Sequence, residues 1–443
     1  MLTLQGYGIP KKDIPNLDQL KTLLTVKPYV PSVFVKPQYV SKYPVFVETD
    51  THMFVPKHYG IQTFGEIKET KRDVLQTDAK YWEFTGKLRP IQQEVIKSYN
   101  RDGIISLQTG GGKTVCALYI ASVLRFPAVV LVHNTFLRDQ WIDRIKEFLP
   151  KARIGRIQGD IIEIEGKDII VAMLQSVSMK EYSPNLFKNI GLTIIDECHH
   201  IASEAFSRAV PKLTCKHMLG LSATPDRKDK LMYVINWFLG PLLYKSDTAD
   251  KIDEKVKVEY YEFNPEHESF NEIIYNTSGV MFTCLMINKV VEYEPRNKML
   301  VELLTDIYEE KERQILVLTD RVDHTKTILE MLPLEIQKNA CILGREVKSA
   351  QRAEWCESKR ILIATYTMCK EGFDVATLNT LLLATSRPDV DQIVGRILRV
   401  DKTNRPVDPL IIDVVDPAFR RQFQSRLALY KSRNYEIQKM TLS

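Results

Sequence analysis

IISLQTGGGKTVCALYIASVL, residues 104–124, runs from a short apolar segment through a glycine-rich turn into a helical one. A glycine turn between a strand and a helix lets backbone N–H groups surround phosphate oxygens, and the positive end of the helix dipole adds to Lys113. Thr109, Gly110, Gly111, Gly112 and Lys113 are therefore candidate phosphate contacts, and Thr114 offers a hydroxyl to Mg²⁺. The strict eight-residue phosphate-loop pattern is broken at its first position, where Leu107 stands in place of glycine. Three glycines before Lys-Thr could by themselves form an ordinary loop. The strand-loop-helix setting is what favours phosphate.

Outward from this stretch, residues 79–246 alternate apolar runs with helical pieces: IISLQ, AVVLVH, DIIVAM, LTIID and HMLGLS. Short buried runs, each ending where polar residues begin, are the pattern of a parallel sheet covered on both faces by helices. A second set follows in RQILVLTD, CILG, RILIATY, TLLLAT and PLIIDVV. The expectation is an α/β protein with two tandem parallel-sheet lobes, 79–246 and 247–443. Within the second, residues 247–298 carry a charged strand candidate, KVKVEYYEFN, followed by a helical stretch, and read as a connector or insertion. Residues 1–78 have another texture, with seven prolines from Pro10 to Pro56 around β-prone pieces such as YVPSVFV. They read as a small accessory domain with a short sheet.

A chain of 443 residues holds two or three ordinary domains. With 44% hydrophobic and 26% charged residues it has the balance of a globular enzyme. No apolar run approaches the ~18 residues of a membrane span, and MLTLQGYGIPKK lacks the apolar core of a signal peptide. The expected compartment is cytoplasm-like, without membrane attachment. Seven cysteines with no C-x-x-C pair argue against both a disulfide framework and a zinc cluster. The net charge of +5 is mild, but Arg420, Arg421, Arg426, Lys431, Arg433 and Lys439 crowd the C-terminal tail. That tail is either a phosphate contact or a solvated helix face.

LTIIDECHH, residues 192–200, delivers two adjacent carboxylates at the end of an apolar strand, the edge where open α/β sheets bind ligands. Asp196 is a candidate Mg²⁺ ligand, and Glu197 is a candidate base for an attacking water. Acidic residues also favour helix starts, which is the plainer reading. His199 and His200 lack a partner cluster at metal-ligand spacing. One of them suits a hydrogen bond toward LSATP, 221–225, where Ser222 and Thr224 are small hydroxyls able to link the site to a moving surface. In QIVGRILR, 392–399, Arg396 and Arg399 are three apart and so are expected on one helical face. They are either surface arginines or donors to a phosphoryl-transfer transition state.

LRPIQ (88–92), QTGGGKT, DECHH, LSATP, TYTMCKEGFD (365–374) and QIVGRILR stand in one order over about residues 85–415. In that order they resemble the motifs of superfamily-2 helicases, which implies two RecA-like lobes, ATP as fuel and Mg²⁺ as cofactor. By the same resemblance, Gln92 reads the adenine, Lys113 and Thr114 hold phosphate and Mg²⁺, and Asp196 and Glu197 carry out hydrolysis. Gln392, Arg396 and Arg399 approach the γ-phosphate, and Gly372 and Asp374 contact nucleotide or couple it to the strand. The match around Thr365 is loose. DECHH, LRPIQ and EPRNKML (294–300) look most like the branch holding XPB, the phage recombination helicase UvsW and the poxvirus transcript-release helicase. That implies duplex, forked or branched DNA as track, a phage or large DNA virus as source and the host cytoplasm as location. It also implies a monomeric motor working beside replication, recombination or transcription proteins.

Overall fold

A computed structural model describes residues 1–3, 5–29, 40–67, 74–108, 110–183, 185–200, 204–223, 230–246, 255–265, 268–276, 279–344, 346–370, 375, 377–398, 400 and 405–441. The chain forms two compact units, Met1–Ser246 and Asp247–Ser443. No helix among the described residues is long and apolar enough to cross a membrane.

The first unit opens with β1 (Leu2–Thr3), β2 (Gly6–Pro10), α1 (Leu17–Leu23), β3 (Thr25–Val26), β4 (Tyr43–Pro44), β5 (Val47–Glu48), β6 (His52–Val55) and α2 (Lys57–Phe64). β1-β2-β6-β5 form an antiparallel sheet, and β3 pairs with β4. This segment has no separate core. Tyr7, Ile9, Leu24, Val45, Met53 and Val55 belong to the same buried apolar cluster as Ile104, Val234, Ile235 and Phe238 of the following lobe. The seam is also polar: Lys57 Nζ, nearly buried, donates to Asp102 Oδ2 at 2.6 Å and to the carbonyls of Cys215 (3.1 Å) and Lys216 (2.7 Å).

The lobe continues through α3 (Pro90–Ser98), β7 (Gly103–Ser106), α4 (Lys113–Leu124), β8 (Ala128–Val132), α5 (Thr135–Phe148), β9 (Ile154–Gln158), β10 (Ile161–Ile162), β11 (Ile169–Met173) and α6 (Leu174–Met179). It closes with β12 (Leu192–Ile195), α7 (Glu204–Ala209), β13 (His217–Ser222), α8 (Met232–Leu239) and β14 (Leu242–Lys245). The sheet order is β10-β9-β11-β8-β12-β13-β7-β14, parallel except for β10. Every residue of β7, β8, β11 and β12 is buried, because helices cover both faces. β13 lies between β7 and β12. Ser222 at its end therefore falls between the glycine loop after β7 and the carboxylates after β12.

The second unit contains β15 (Lys257–Glu262), α9 (Thr283–Glu292), α10 (Glu294–Glu309), β16 (Ile315–Thr319), α11 (Val322–Met331), α12 (Leu334–Gln337), β17 (Ala340–Leu343), α13 (Ser349–Ser358) and β18 (Ile361–Thr365). After these come α14 (Tyr366–Lys370), β19 (Thr380–Leu383), α15 (Asp391–Val394), β20 (Leu410–Val415), α16 (Arg420–Ser432) and β21 (Glu436–Met440). Its sheet is wholly parallel in the order β17-β18-β16-β19-β20-β15-β21.

Two expectations need correction. KVKVEYYEFN, read as part of a connector, supplies β15, an interior strand between β20 and β21. The strand expected there is formed, but as part of the second sheet, with Val256 and Val258 fully buried. The basic tail is largely structural. Arg426 is fully buried and makes a bidentate pair with Asp413, both bonds 2.8 Å, while donating to Ser386 Oγ at 2.8 Å. Arg433 pairs with Asp391 and Lys439 with Glu262, each at 2.8 Å, while Arg420, Arg421 and Lys431 are exposed on α16.

Candidate nucleotide site

The glycine loop leaves β7 at the C-terminal edge of the first sheet and enters α4 at Lys113. Gly110 and Gly112 have φ of +82° and +85°, a region that costs other residues strain. Gly112 is constrained twice, since a Cβ there would lie 2.0 Å from Gln92 Nε2. The loop is braced from α3: Arg89 Nη2 donates to the Gly110 carbonyl at 2.9 Å and Gln92 Nε2 to that of Gly111 at 3.4 Å. Gln92 Oε1 accepts from the Arg89 backbone N–H at 2.8 Å, so this side chain also caps its own helix. At Gly110 a Cβ would meet nothing within 4 Å, so the mouth of the loop is open. Leu107, where the motif expects glycine, donates its N–H to the Ser222 carbonyl at 3.1 Å and is fully buried. The departure from the motif thus lies just past β7, where the Leu107 side chain is packed into the core.

Lys113 Nζ donates to the Leu107 carbonyl at 3.2 Å and stands 3.9 Å from Glu197 Oε1. Asp196 is nearly buried. Trp141 Nε1 donates to its Oδ2 at 2.9 Å and the Glu197 N–H to its Oδ1 at 3.0 Å. Burial, and then the charge of Glu197, push the Asp196 carboxyl up to about 6. Glu197 holds a left-handed φ of +48°, uncommon for a side-chain-bearing residue and a form of strain found at functional sites. Two crowded carboxylates beside one lysine suit a divalent cation, for which Asp196 offers a hard oxygen donor; Thr114 is the second residue of α4.

His199 Nδ1 lies 3.2 Å from Glu197 Oε2 and 3.1 Å from Ser222 Oγ. One histidine thus joins the second carboxylate to the strand between the two motifs. Trp141 escaped the sequence reading, because with Leu137 and Ile145 it falls at helical spacing and looks like plain core. Arg89 had no signal beyond its place beside Gln92. Thr109 and Thr224 lie outside the described residues, and of the His200 side chain nothing is described.

In the second unit, α15 ends at Val394 and is followed by i→i+3 turns, Arg396 N to Ile393 O at 2.9 Å and Ile397 N to Val394 O at 3.1 Å. The expected continuous helical face is therefore not formed up to Leu398. Gly395, a poor helix former, stands at the break. Arg396 is nearly buried and donates to the Cys369 carbonyl at 3.1 Å, which ties this segment to the end of α14. Gln392 is half-buried on α15. Gly372, Asp374 and Arg399 lie outside the described residues.

Residues 85–227 match the family model described as "Type III restriction enzyme, res subunit". The chain is 30% identical to "Putative ATP-dependent RNA helicase L396" of Acanthamoeba polyphaga mimivirus over 457 aligned positions, covering 100% of this chain and 87% of the relative. It is 26% identical to "Putative helicase 161L" of Invertebrate iridescent virus 6, covering 80% and 84%. In fold it is similar to S. cerevisiae Dbp5 bound to RNA and ADP BeF3, with a TM-score of 0.58, 16% identity and coverage of 80% and 90%. Whole-length identity of 30% to a viral relative, together with the tandem RecA-like fold, makes this protein a member of the viral superfamily-2 helicases, ATP-dependent enzymes that bind nucleic acid.

Proposed function

We propose that the protein is an ATP-driven motor acting on duplex, forked or branched DNA. The observation that carries the chemical half is the meeting, at one sheet edge, of an open glycine loop, Lys113 and the Asp196–Glu197 pair. Lys113 and the loop N–H groups would bind the ATP phosphates, Gln92 the adenine, and Glu197 would align and deprotonate the attacking water. Mg²⁺, held by Thr114 and Asp196, would offset charge on the phosphates. His199 and Ser222 would pass the state of Glu197 to β13. Arg396 and Arg399, helped by Gln392, would approach the γ-phosphate from the second lobe, and Gly372 and Asp374 would couple that lobe to the track. Hydrolysis would then depend on lobe closure, which turns nucleotide state into motion.

The DNA half rests on the resemblance of DECHH, LRPIQ and EPRNKML to the branch of XPB, UvsW and the poxvirus transcript-release helicase. A protein that translocates on duplex DNA and releases transcripts or remodels complexes has the same motifs. An RNA track is a second reading, favoured by the mimivirus relative's name as a putative ATP-dependent RNA helicase. Residues 1–78 would select the nucleic-acid structure, and the protein would work as a monomer with replication, recombination or transcription partners.

Glu197→Gln tests the chemistry, since it preserves size while removing the base. ATP binding measured at equilibrium should persist, and turnover should fall by about 10² to 10⁴. Unchanged steady-state hydrolysis would remove Glu197 from the mechanism.

A further inference from the structure

Asp196 stands just past β12 and is nearly buried. The torsion that sets the plane of a carboxylate is soft, so burial alone does not fix where its lone pairs point. Here two donors fix it, one on each oxygen. The Glu197 N–H, 3.0 Å from Oδ1, comes from the next residue in the chain. The other is the indole N–H of Trp141, 2.9 Å from Oδ2 and 55 positions away on α5. Among the described residues, Trp141 is the side chain that donates to this carboxylate.

A buried indole N–H needs an acceptor, and a core carbonyl would serve it as well, so the plainer reading is that Trp141 only packs. Three features speak for more. The ring is 1% exposed and sits in one apolar cluster with Cys116, Ala117 and Ile120 of α4 and Ile194 of β12. It is thus clamped by the two elements that carry Lys113, Thr114 and Asp196, and its N–H cannot swing away. An indole donates and never accepts, and a carboxylate accepts at about four sites, so lone pairs remain on both oxygens. The donor is also neutral. An arginine or lysine in its place would orient the carboxylate but cancel the charge that a divalent cation needs.

We infer that Trp141 is a positioning residue for the metal site: its indole N–H holds the Asp196 carboxylate in one plane and leaves its charge and remaining lone pairs to Mg²⁺. The inference rests on the reading of Asp196 as a Mg²⁺ donor. Trp141 acts through Asp196 and not on the nucleotide itself. Groups that hold a metal ligand in place contribute about 10- to 100-fold to metal affinity.

The test compares the full chain with Trp141→Phe, which keeps an aromatic ring in the core and removes the donor. Leu137→Ala, one turn earlier on α5, damages the same core and leaves Asp196 its bonds. The metal probe is Mn²⁺, titrated by EPR with ADP present. Trp141→Phe should bind Mn²⁺ about 10- to 100-fold more weakly, and the Mg²⁺ concentration that half-saturates the ATPase should rise in proportion. Its affinity for ADP in EDTA should stay within about twofold of the wild type. Leu137→Ala should lower the urea midpoint and leave the Mn²⁺ titration where it is. Mn²⁺ binding by Trp141→Phe within about twofold of the wild type overturns the inference, and so does an equal weakening by Leu137→Ala. A second readout needs no variant at this position. With ¹⁵N-labelled indoles, assigned through Trp82→Phe, Trp237→Phe and Trp355→Phe, the Trp141 N–H resonance should move when Mg²⁺ is added to the ADP complex. A resonance that stays in place overturns the inference even where Trp141→Phe does not fold. Asp196→Asn binding Mn²⁺ as tightly as the wild type overturns instead the reading of Asp196 as a metal donor beneath it.

Discussion

Lys57→Met should destabilise the first unit out of proportion to its distance from the glycine loop. The ammonium is buried at the seam between residues 1–67 and the lobe, where it donates to Asp102 and to two backbone carbonyls. Methionine preserves the apolar stem but leaves Asp102 buried, with His58 Nε2 3.3 Å from its Oδ2. Breaking a buried pair from one side costs about 3–5 kcal/mol, because the uncompensated charge stays behind. For a unit of this size that corresponds to a melting point lower by about 10 °C. Urea unfolding followed by tryptophan fluorescence should read it, since Trp237 packs against Tyr59 on the same helix as Lys57, with ring centroids 5.0 Å apart. Lys57→Met/Asp102→Leu should recover much of the loss, as apolar replacement of both partners often does. Lys57→Met within about 1 kcal/mol of the wild type would refute the seam as a unit of stability. Asp102 lies next to β7, which leads into the glycine loop, so ATP affinity of this variant should fall with its stability. The shared core also means that removing residues 1–67 exposes Ile235 and Phe238, so a truncated protein is a poor test of what that segment selects.

Arg396→Ala should lower kcat by about 10³ to 10⁵ in single-turnover hydrolysis, with binding of a non-hydrolysable ATP analogue changed far less; normal hydrolysis would reduce Arg396 to its bond with the Cys369 carbonyl. The second unit should lose stability in mild acid through His324, buried between Thr319 Oγ1 (2.7 Å) and Asn297 Oδ1 (2.9 Å). Burial, then the charge of Arg296, lower its pKa to about 3. A depressed histidine contributes fully above its unfolded value of ~6.5 and loses about 1.4 kcal/mol per pH unit below it. The urea midpoint should therefore fall from pH 6.5 to 5 with a slope that His324→Gln flattens, and an unchanged slope would contradict the assignment.

The strands that the sequence made legible are those buried on both faces. All ten apolar runs singled out in the two lobes fall on parallel strands, because such strands carry continuous β-branched signal. The strands that escaped sit at or near sheet edges or carry charge. β9 alternates half-buried and buried residues and β21 reads EIQKM, while β15 is legible as a charged strand but not as an interior member of the sheet. In the site, the glycine loop and the carboxylate pair were legible as local strings. The hydrogen bond expected from one histidine toward LSATP is made between His199 Nδ1 and Ser222 Oγ, whereas the bonds of Trp141 to Asp196 and of Arg89 to the Gly110 carbonyl join segments distant in the chain, which no local pattern encodes. EPRNKML carried a resemblance, and the structure gives it a physical role. Arg296 is fully buried against Asp416, with Nη2 2.9 Å from Oδ2, and Asn297 joins the Val291 carbonyl to His324. Arg426, which looked like a tail cation, is a core residue for the same kind of reason.

DNA should drive hydrolysis at Lys113, Asp196 and Glu197. The measurement that reaches it most directly is steady-state ATPase of the full chain with single-stranded DNA, duplex DNA, a fork, a four-way junction and RNA in parallel, at fixed salt, with Glu197→Gln as the blank. Duplex or branched DNA should stimulate it strongly, less so as salt rises because the contacts would be mainly to phosphate. Stimulation by RNA alone would contradict the DNA assignment, and no stimulation by any of the five would contradict the motor itself.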